Sequence, residues 1–222
     1  MARQARFVLE GFPHHITQKG NNAQHVFIDG NDYLKYLQLL EEYSSRYSVK
    51  IQAYCLMSNH VHLLVVPGTA TSLAETMRSV AARYSKYFNK KYGNKGRLWE
   101  VRFHSSVVDT DAYHWWVALY VEWNPVRASL VTRPEQWQYS SARHHALGES
   151  DPLVNDTLFD ESDMKQYRKL LSEGPPESQV EEIRRGIHAN RPVGSGDFLA
   201  RLKETFGISV TKKRGRPRKI ST

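Results

Sequence analysis

The sequence predicts an α+β fold, a ferredoxin-like antiparallel sheet with helices on one face. The first observation is the order of the periodic segments, which alternate as strand, helix, strand, strand, helix, strand. The second is the short Ser58-Asn59 turn, which joins the second and third strands as a hairpin. A further helix follows the fourth strand and would lie across the sheet. Beyond residue 132 the pattern weakens into a helical extension and a basic tail.

Each predicted element has a local signal. Asn31 or Asp32 would cap the first helix, which runs to about Arg46, and Gly93 would end the second helix. Pro125 would stop the last helix of the core. The predicted strands cover residues 7–18, 50–57, 60–67 and 97–109, and the predicted helices cover residues 31–46, 73–92 and 112–123. One face of the first helix would carry the apolar residues Leu34, Leu37, Leu40, Tyr43 and Tyr47.

Composition narrows the class of protein. Hydrophobic residues make up 40% of 222 positions, which is enough for a packed core. The mean hydropathy is −0.59, and no apolar run approaches the roughly 20 residues of a membrane helix. The chain has a single cysteine, Cys55, which excludes an intrachain disulfide and is better read as a small core residue. We therefore expect a cytoplasmic protein.

The net charge of +8 is unevenly distributed. Between Arg78 and Arg102 there are eight basic residues and one acidic residue, Glu100. Six more basic residues lie within the last eleven positions: Lys212, Lys213, Arg214, Arg216, Arg218 and Lys219. A basic face and a basic tail predict a polyanionic partner, and nucleic acid is the first candidate.

The His60-Val61-His62 segment lies in an apolar strand. Residues i and i+2 of a strand point to the same face, so the two imidazoles converge at a spacing suitable for one divalent metal ion. Two surface histidines are the alternative interpretation.

Tyr120 and Asn124 are four residues apart on a predicted helix and therefore share a face. The Asn124 amide oxygen could complete a site for Mg²⁺ or Mn²⁺ with the two imidazoles. A core tyrosine followed by an Asn-Pro helix stop is the alternative.

Four segments together resemble a known family, the bacterial REP-associated tyrosine transposases (RAYT) of the HUH single-tyrosine, IS200-like superfamily. They read PHHITQ (13–18), MSNHVHLL (57–64), GRLWEVRF (96–103) and YVEWNPVRA (120–128). They occur in family order over residues 3–145, and Trp123 departs from the usual smaller aliphatic residue. The resemblance implies the HUH fold, with His60, His62 and Asn124 as metal ligands and Tyr120 as the nucleophile.

The weakening of the pattern after residue 132 predicts a domain division, and the resemblance implies a DNA substrate. Residues 1–132 would form the catalytic domain, 133–207 a helical extension, and 208–222 a flexible, AT-hook-like tail. The enzyme would cleave and rejoin single-stranded, hairpin-forming DNA through a 5′-phosphotyrosine, as a nucleoid-associated monomer or, alternatively, a dimer. Two other functions stay open: a hairpin-binding protein without cleavage, and a Zn²⁺-dependent hydrolase that uses the histidine pair.

DNA contacts are expected from cations of the second helix and of the segment after it. They are Arg83, Lys86, Lys90, Lys91, Arg97 and Arg102, together with the six tail residues. Tyr84, Tyr87 and Tyr92 on the same helix could stack on bases, or could instead belong to the core. Trp99 and Phe103 are predicted to be core residues, and His144 and His145 are predicted to form a solvated helix end.

Overall fold

The fold is built on a four-stranded antiparallel sheet. The computed structural model describes residues 7–110, 113–156, 158, 161–188 and 191–207. The strands are β1 (His14–Lys19), β2 (Val49–Met57), β3 (His60–Pro67) and β4 (His104–Val107), and their order in the sheet is β2-β3-β1-β4. This order is that of a ferredoxin-like sheet, so the predicted fold class is confirmed.

Helices α1 (Gly30–Arg46) and α2 (Ser72–Tyr92) cover one face of the sheet. They bury an aromatic and aliphatic core that includes Ile16, Leu63 and Tyr84. The cap of α1 is Asp29, two residues before Asn31 and three before Asp32, because Asp29 accepts from the Asp32 backbone N–H and forms a capping box. Leu34, predicted to be apolar-facing, is 61% exposed, so the buried stripe of α1 is carried by its tyrosines and other leucines.

The opposite face is covered by α3 (His114–Glu122), which packs on β2 and β3. Contrary to the prediction, Pro125 does not end the helical conformation of the chain. It occupies the first turn of a short helix α4 (Asn124–Arg127), a position where proline's missing N–H would have no intrahelical partner. The sheet is therefore covered on both faces, with α3 packed on β2 and β3 and α4 in contact with β2.

Among its described residues, the C-terminal part adds four α-helices: α5 (Ala142–Leu147), α6 (Glu161–Glu173), α7 (Glu177–His188) and α8 (Gly196–Phe206). Before α5, the chain runs along the edge of β2, where the Leu56 N–H donates to the Tyr139 carbonyl and the Ser141 N–H donates to the Tyr54 carbonyl. This contact shields an edge strand. Within the described part of the chain, no helix has the length and apolar character needed to cross a bilayer.

Candidate active site

The two histidines of β3 lie next to the hairpin turn and point to the α3 face of the sheet. Their ring centroids are 4.9 Å apart, and Val61 between them is fully buried in the core under α1 and α2. Burial lowers the pKa of His60 to about 4 and the pKa of His62 well below its usual value. Both imidazoles are therefore neutral near pH 7, with nitrogen lone pairs available.

Hydrogen bonds determine which nitrogen of each imidazole has the available lone pair. The Nδ1 of His60 lies 2.6 Å from the Asn59 side-chain oxygen, which can only accept, so Nδ1 carries the proton and Nε2 is left to bind a cation. The Nδ1 of His62 lies 3.0 Å from the Nε2 of His15 on the neighbouring strand. When that Nδ1 donates, the Nε2 of His62 is likewise left for a ligand. A partner that fixes the tautomer is typical of metal-binding histidines.

Tyr120 lies on α3 above this pair. Its ring centroid is 5.8 Å from that of His62 and 5.9 Å from that of His15, and only 6% of the residue is exposed. Asn124 begins α4, and its amide nitrogen donates to the carbonyls of Tyr120 and Val121 at 3.0 and 3.1 Å. Because the nitrogen is anchored in this way, the amide oxygen is the atom left to bind a cation.

The four residues predicted from sequence line one cleft of about 240 Å³. Thr17, Lys19, Glu100 and His104 also line it. Strand register explains this gathering, since Thr17 pairs with His62 on one side and with His104 on the other. Three adjacent strands thus place polar side chains in a row beneath the phenol.

The donor set fits a divalent cation. Among the residues that the structure describes, no group of three His, Cys, Asp or Glu side chains is arranged to hold a metal ion, so a third donor of another kind is required. The oxygen of Asn124 is such a donor within the same cleft. Two imidazoles with an amide oxygen suit an ion such as Mg²⁺ or Mn²⁺.

Two neighbours of Tyr120 were not singled out as site residues by sequence. His15 bonds to His62, and burial lowers the pKa of His15 to about 3. The Arg127 guanidinium carbon lies 4.2 Å from the Tyr120 ring centroid, and Nη2 donates to the Tyr120 carbonyl at 2.7 Å. The available signal for Arg127 was its spacing of seven residues from Tyr120, which is two helical turns. The only sequence signal for His15 was its expected position near the strand that carries His60 and His62.

These two neighbours also hold polar atoms without partners. Among the described residues, the buried His15 Nδ1 and Arg127 Nη1 have no hydrogen-bond partner. Burial lowers the pKa of Arg127, so keeping a guanidinium here is costly to folding. Unpaired buried polar atoms beside a phenol are typical of a functional site.

The cations predicted to contact DNA fall into three groups. Arg83, Lys86 and Lys90 are exposed on α2, and Arg97 and Arg102 are exposed on the loop after it. Lys91 is different, because its Nζ lies 2.7 Å from both the Asp29 and the Asp32 carboxylates. Its charge is already balanced within the fold by two carboxylates, and its contact with DNA stays a prediction. Lys212, Lys213, Arg214, Arg216, Arg218 and Lys219 lie outside the described residues.

The side chains of the α2 tyrosines pack or form hydrogen bonds within the fold and are not exposed on the surface. Tyr84 is fully buried, and the hydroxyls of Tyr87 and Tyr92 donate to Asp32 at 3.1 and 2.8 Å. Trp99 and Phe103 are buried, as predicted. Cys55 is also buried, and burial raises the pKa of its thiol.

The prediction of a solvated helix end at His145 is wrong. His145 is 2% exposed, and its Nδ1 lies 2.6 Å from the Glu122 carboxylate. Glu122 sits on the far side of α3 from the cleft and also accepts from the hydroxyls of Ser141 and Tyr167. Local sequence did not reveal this contact because the two residues are joined only through the tertiary fold.

Comparison with known sequence families identifies the class of this protein. The sequence profile described as "Transposase IS200 like" matches residues 12–124, just over half of the chain. The chain therefore belongs to the IS200-like transposase family, which confirms the resemblance seen in its motifs. Comparison with curated protein sequences found no match.

Two solved structures of transposases are similar to this chain to different degrees. A REP-associated tyrosine transposase bound to a REP hairpin is 19% identical, has a TM-score of 0.55, and covers 73% of this chain and 96% of its own. A putative transposase from Deinococcus radiodurans R1 is 13% identical with a TM-score of 0.37, over 58% of this chain and 92% of its own. The first of these shares the fold over nearly three quarters of this chain.

Proposed function

We propose that this protein is a metal-dependent, transposase-type strand transferase that cleaves and rejoins single-stranded hairpin DNA through Tyr120. The observation that carries the proposal is the single cleft that brings the Tyr120 phenol together with His60, His62 and Asn124. These residues come from β3, α3 and α4, so only the folded chain assembles them. Residues 1–132 would form the catalytic domain, 133–207 the extension and 208–222 a DNA-tethering tail.

The reaction is a transesterification. The Tyr120 oxygen attacks the scissile phosphorus, the bond from phosphorus to the 3′ oxygen breaks, and the departing oxygen takes a proton to become a 3′-OH. The strand is then held as a 5′-phosphotyrosine, which preserves one phosphodiester for each one broken. Attack by a second 3′-OH reverses the step and reseals DNA without ATP. A divalent cation bound by His60, His62 and Asn124 would polarise the phosphate and orient the leaving oxygen.

The surrounding residues have supporting roles in this proposal. His15 holds the His62 ring through the 3.0 Å bond between Nε2 and Nδ1. Arg127 fixes the Tyr120 ring by lying over its face and by bonding the Tyr120 carbonyl, which limits the rotation of the phenol. Lys19 is exposed at the rim of the cleft and is placed to contact a phosphate of the bound strand.

DNA is the proposed partner. The structural relative of 0.55 TM-score was solved with a REP hairpin, and this chain presents exposed cations on α2 and on the following loop. Exposed, unpaired cations release counterions on binding a backbone, so affinity should fall steeply with salt. A monomer that uses its own histidine pair fits the 5.8 Å ring distance between His62 and Tyr120 within one chain.

Trapping the covalent intermediate tests the proposal. Wild type, Tyr120→Phe and a control Tyr47→Phe are incubated with end-labelled hairpin DNA and Mn²⁺, and the products are separated on a denaturing gel. We expect label at protein mass for wild type and Tyr47→Phe, and none for Tyr120→Phe, which still binds the hairpin. Tyr47 is a suitable control because its hydroxyl makes only a 3.5 Å contact with Ser79.

The other outcomes identify the alternative functions. Full-length DNA that is bound but never cut would overturn the proposal in favour of a hairpin-binding protein. Cut DNA without a labelled protein band would indicate hydrolysis by water at the histidine pair.

A further inference from the structure

A second cavity lies on the other face of the sheet from the Tyr120 cleft. It has a volume of about 560 Å³, is open to solvent on one side, and lies between α2 and the loop of residues 96–103. Small residues, Ala81, Ala82 and Ser85, form the helix wall, while Met77, Leu98 and Phe103 supply apolar surface. The wall of small side chains leaves room for a flat group.

Three arginines surround this cavity. Arg78, Arg97 and Arg102 all line it and are exposed, and Glu100 is the acidic residue among its lining side chains. None of the three arginines has an ion-pair partner among the described residues. Lys91, which lies on α2 like Arg78, is paired with two carboxylates. Unpaired guanidinium groups around an apolar slot suit a ligand that is flat and apolar in its middle and anionic at its edge.

Two buried polar atoms of the cavity lining lack partners. Gln18 is 3% exposed and Trp99 is 8% exposed, and both residues line the cavity. Neither the Gln18 Oε1 nor the Trp99 indole N–H has a hydrogen-bond partner within the described part of the chain. One is an acceptor and the other is a donor, so together they match a group that carries both a donor and an acceptor. Leaving such atoms unpaired is costly to folding, which argues for a ligand that satisfies them.

The cavity adjoins the cleft at the edge of the sheet. Glu100 lines both sites, and its backbone N–H donates to the Lys19 carbonyl at 3.0 Å. Gln18 lies between Thr17 and Lys19, which both line the cleft, and alternation along β1 turns Gln18 to the opposite face. A strand that passes over this edge would leave one nucleotide at each site.

We infer that this cavity binds an unpaired nucleobase of the single strand that enters the Tyr120 cleft. The base edge would bond to Gln18 and to the Trp99 indole N–H, and its flanking phosphates would contact Arg78, Arg97 and Arg102. Every base presents both donors and acceptors on its edges once it is unstacked, so the pair selects a base over a bare backbone. The atoms are covered from solvent, so neighbouring lining side chains must turn aside when the base binds. This inference rests on the proposed DNA substrate and identifies which part of it is read.

The test measures binding in a Tyr120→Phe background without divalent cation, so that it does not depend on cleavage. Hairpins with single-stranded flanks carry one abasic residue at each flank position in turn, and affinities are measured by fluorescence anisotropy. We expect one position where removing the base weakens binding about tenfold, as is typical for a base held in a protein pocket.

Variants of the cavity then locate that position. In a Gln18→Met, Trp99→Phe protein the penalty at this position should fall below about twofold, as expected when the lost base contact is the pocket's own. The penalties at other positions should stay unchanged. Ala82→Trp fills the cavity from an exposed position and should give the same result, whereas Gln38→Trp on α1, which does not line the cavity, should leave the penalty intact. Thermal unfolding of each variant verifies that it is folded.

Two results would overturn the inference: no position-specific penalty in the parent protein, or a penalty that survives both cavity variants. A uniform loss of affinity with the position-specific penalty unchanged would count as survival. Wild type that forms no covalent adduct while the base penalty behaves as expected would instead defeat the proposed strand transfer and leave the base pocket standing.

Discussion

The two sides of helix α3 bury polar groups in opposite ways. On the far side, Glu122 accepts from Ser141 and Tyr167 and pairs with His145, so both carboxylate oxygens are bonded. On the cleft side, the buried His15 Nδ1 and Arg127 Nη1 have no partner among the described residues. Satisfied networks fix a fold, whereas unsatisfied ones are retained at a cost to stability. We infer that the hydrogen bonds of Glu122 stabilise the position of α3, whereas the unpaired groups beside Tyr120 are available to bind a ligand.

The largest expected effect comes from Tyr120, the proposed nucleophile. Tyr120→Phe should lower strand cleavage by at least about 1,000-fold, because no other phenol is placed in the cleft, while it changes the free energy of unfolding by less than about 1 kcal/mol. Single-turnover cleavage and urea unfolding measure the two quantities. Residual cleavage within tenfold of wild type would contradict the proposal that Tyr120 is the nucleophile.

The opposite pattern is expected across the helix. Glu122→Ala should lower the free energy of unfolding by about 3 kcal/mol, because it removes a buried carboxylate and leaves the partners on three other residues unpaired. Urea unfolding monitored by tryptophan fluorescence measures the loss. Ala118→Gly, also fully buried on α3, is a control for damage to the helix alone and should cost about 1 kcal/mol. A Glu122 variant as stable as wild type would remove the contrast between the two sides.

A smaller loss of activity is expected at His15. His15→Leu should weaken divalent-cation affinity and cleavage about 10- to 100-fold, because the His62 ring loses the partner that sets its tautomer. Its effect on unfolding should be less than about 1 kcal/mol, since one unpaired buried nitrogen is removed as another is created. Titration of Mn²⁺ by calorimetry measures the affinity. Unchanged affinity would show that His15 only packs.

The same distinction between paired and unpaired groups applies on α2. Lys90→Ala should reduce the slope of log affinity against log salt by about 0.7, the value for one phosphate contact to single-stranded DNA. Lys91→Ala should leave the slope unchanged and lower the melting temperature instead, because Asp29 and Asp32 lose their cation. Equal slopes for both variants would show that pairing does not decide which lysines meet the DNA.

Local sequence predicted the parts of the molecule that depend on short-range periodicity. The fold class follows from the order of the periodic segments along the chain. The convergence of His60 and His62 and the face shared by Tyr120 and Asn124 follow from spacing along one element. The contacts it missed join distant segments: His15 to His62, Lys91 to Asp29 and Asp32, and Glu122 to His145. Such pairs depend on strand register and helix packing, which a single sequence does not specify.

The most direct test of the central claim is to map the covalent attachment. Wild-type protein trapped on hairpin DNA is digested with nuclease and protease, and mass spectrometry identifies which of the 12 tyrosines carries the 5′-phosphate remnant. We expect a nucleotide on Tyr120 alone. A remnant on any other tyrosine, such as the partly buried Tyr87 or Tyr92, would contradict it.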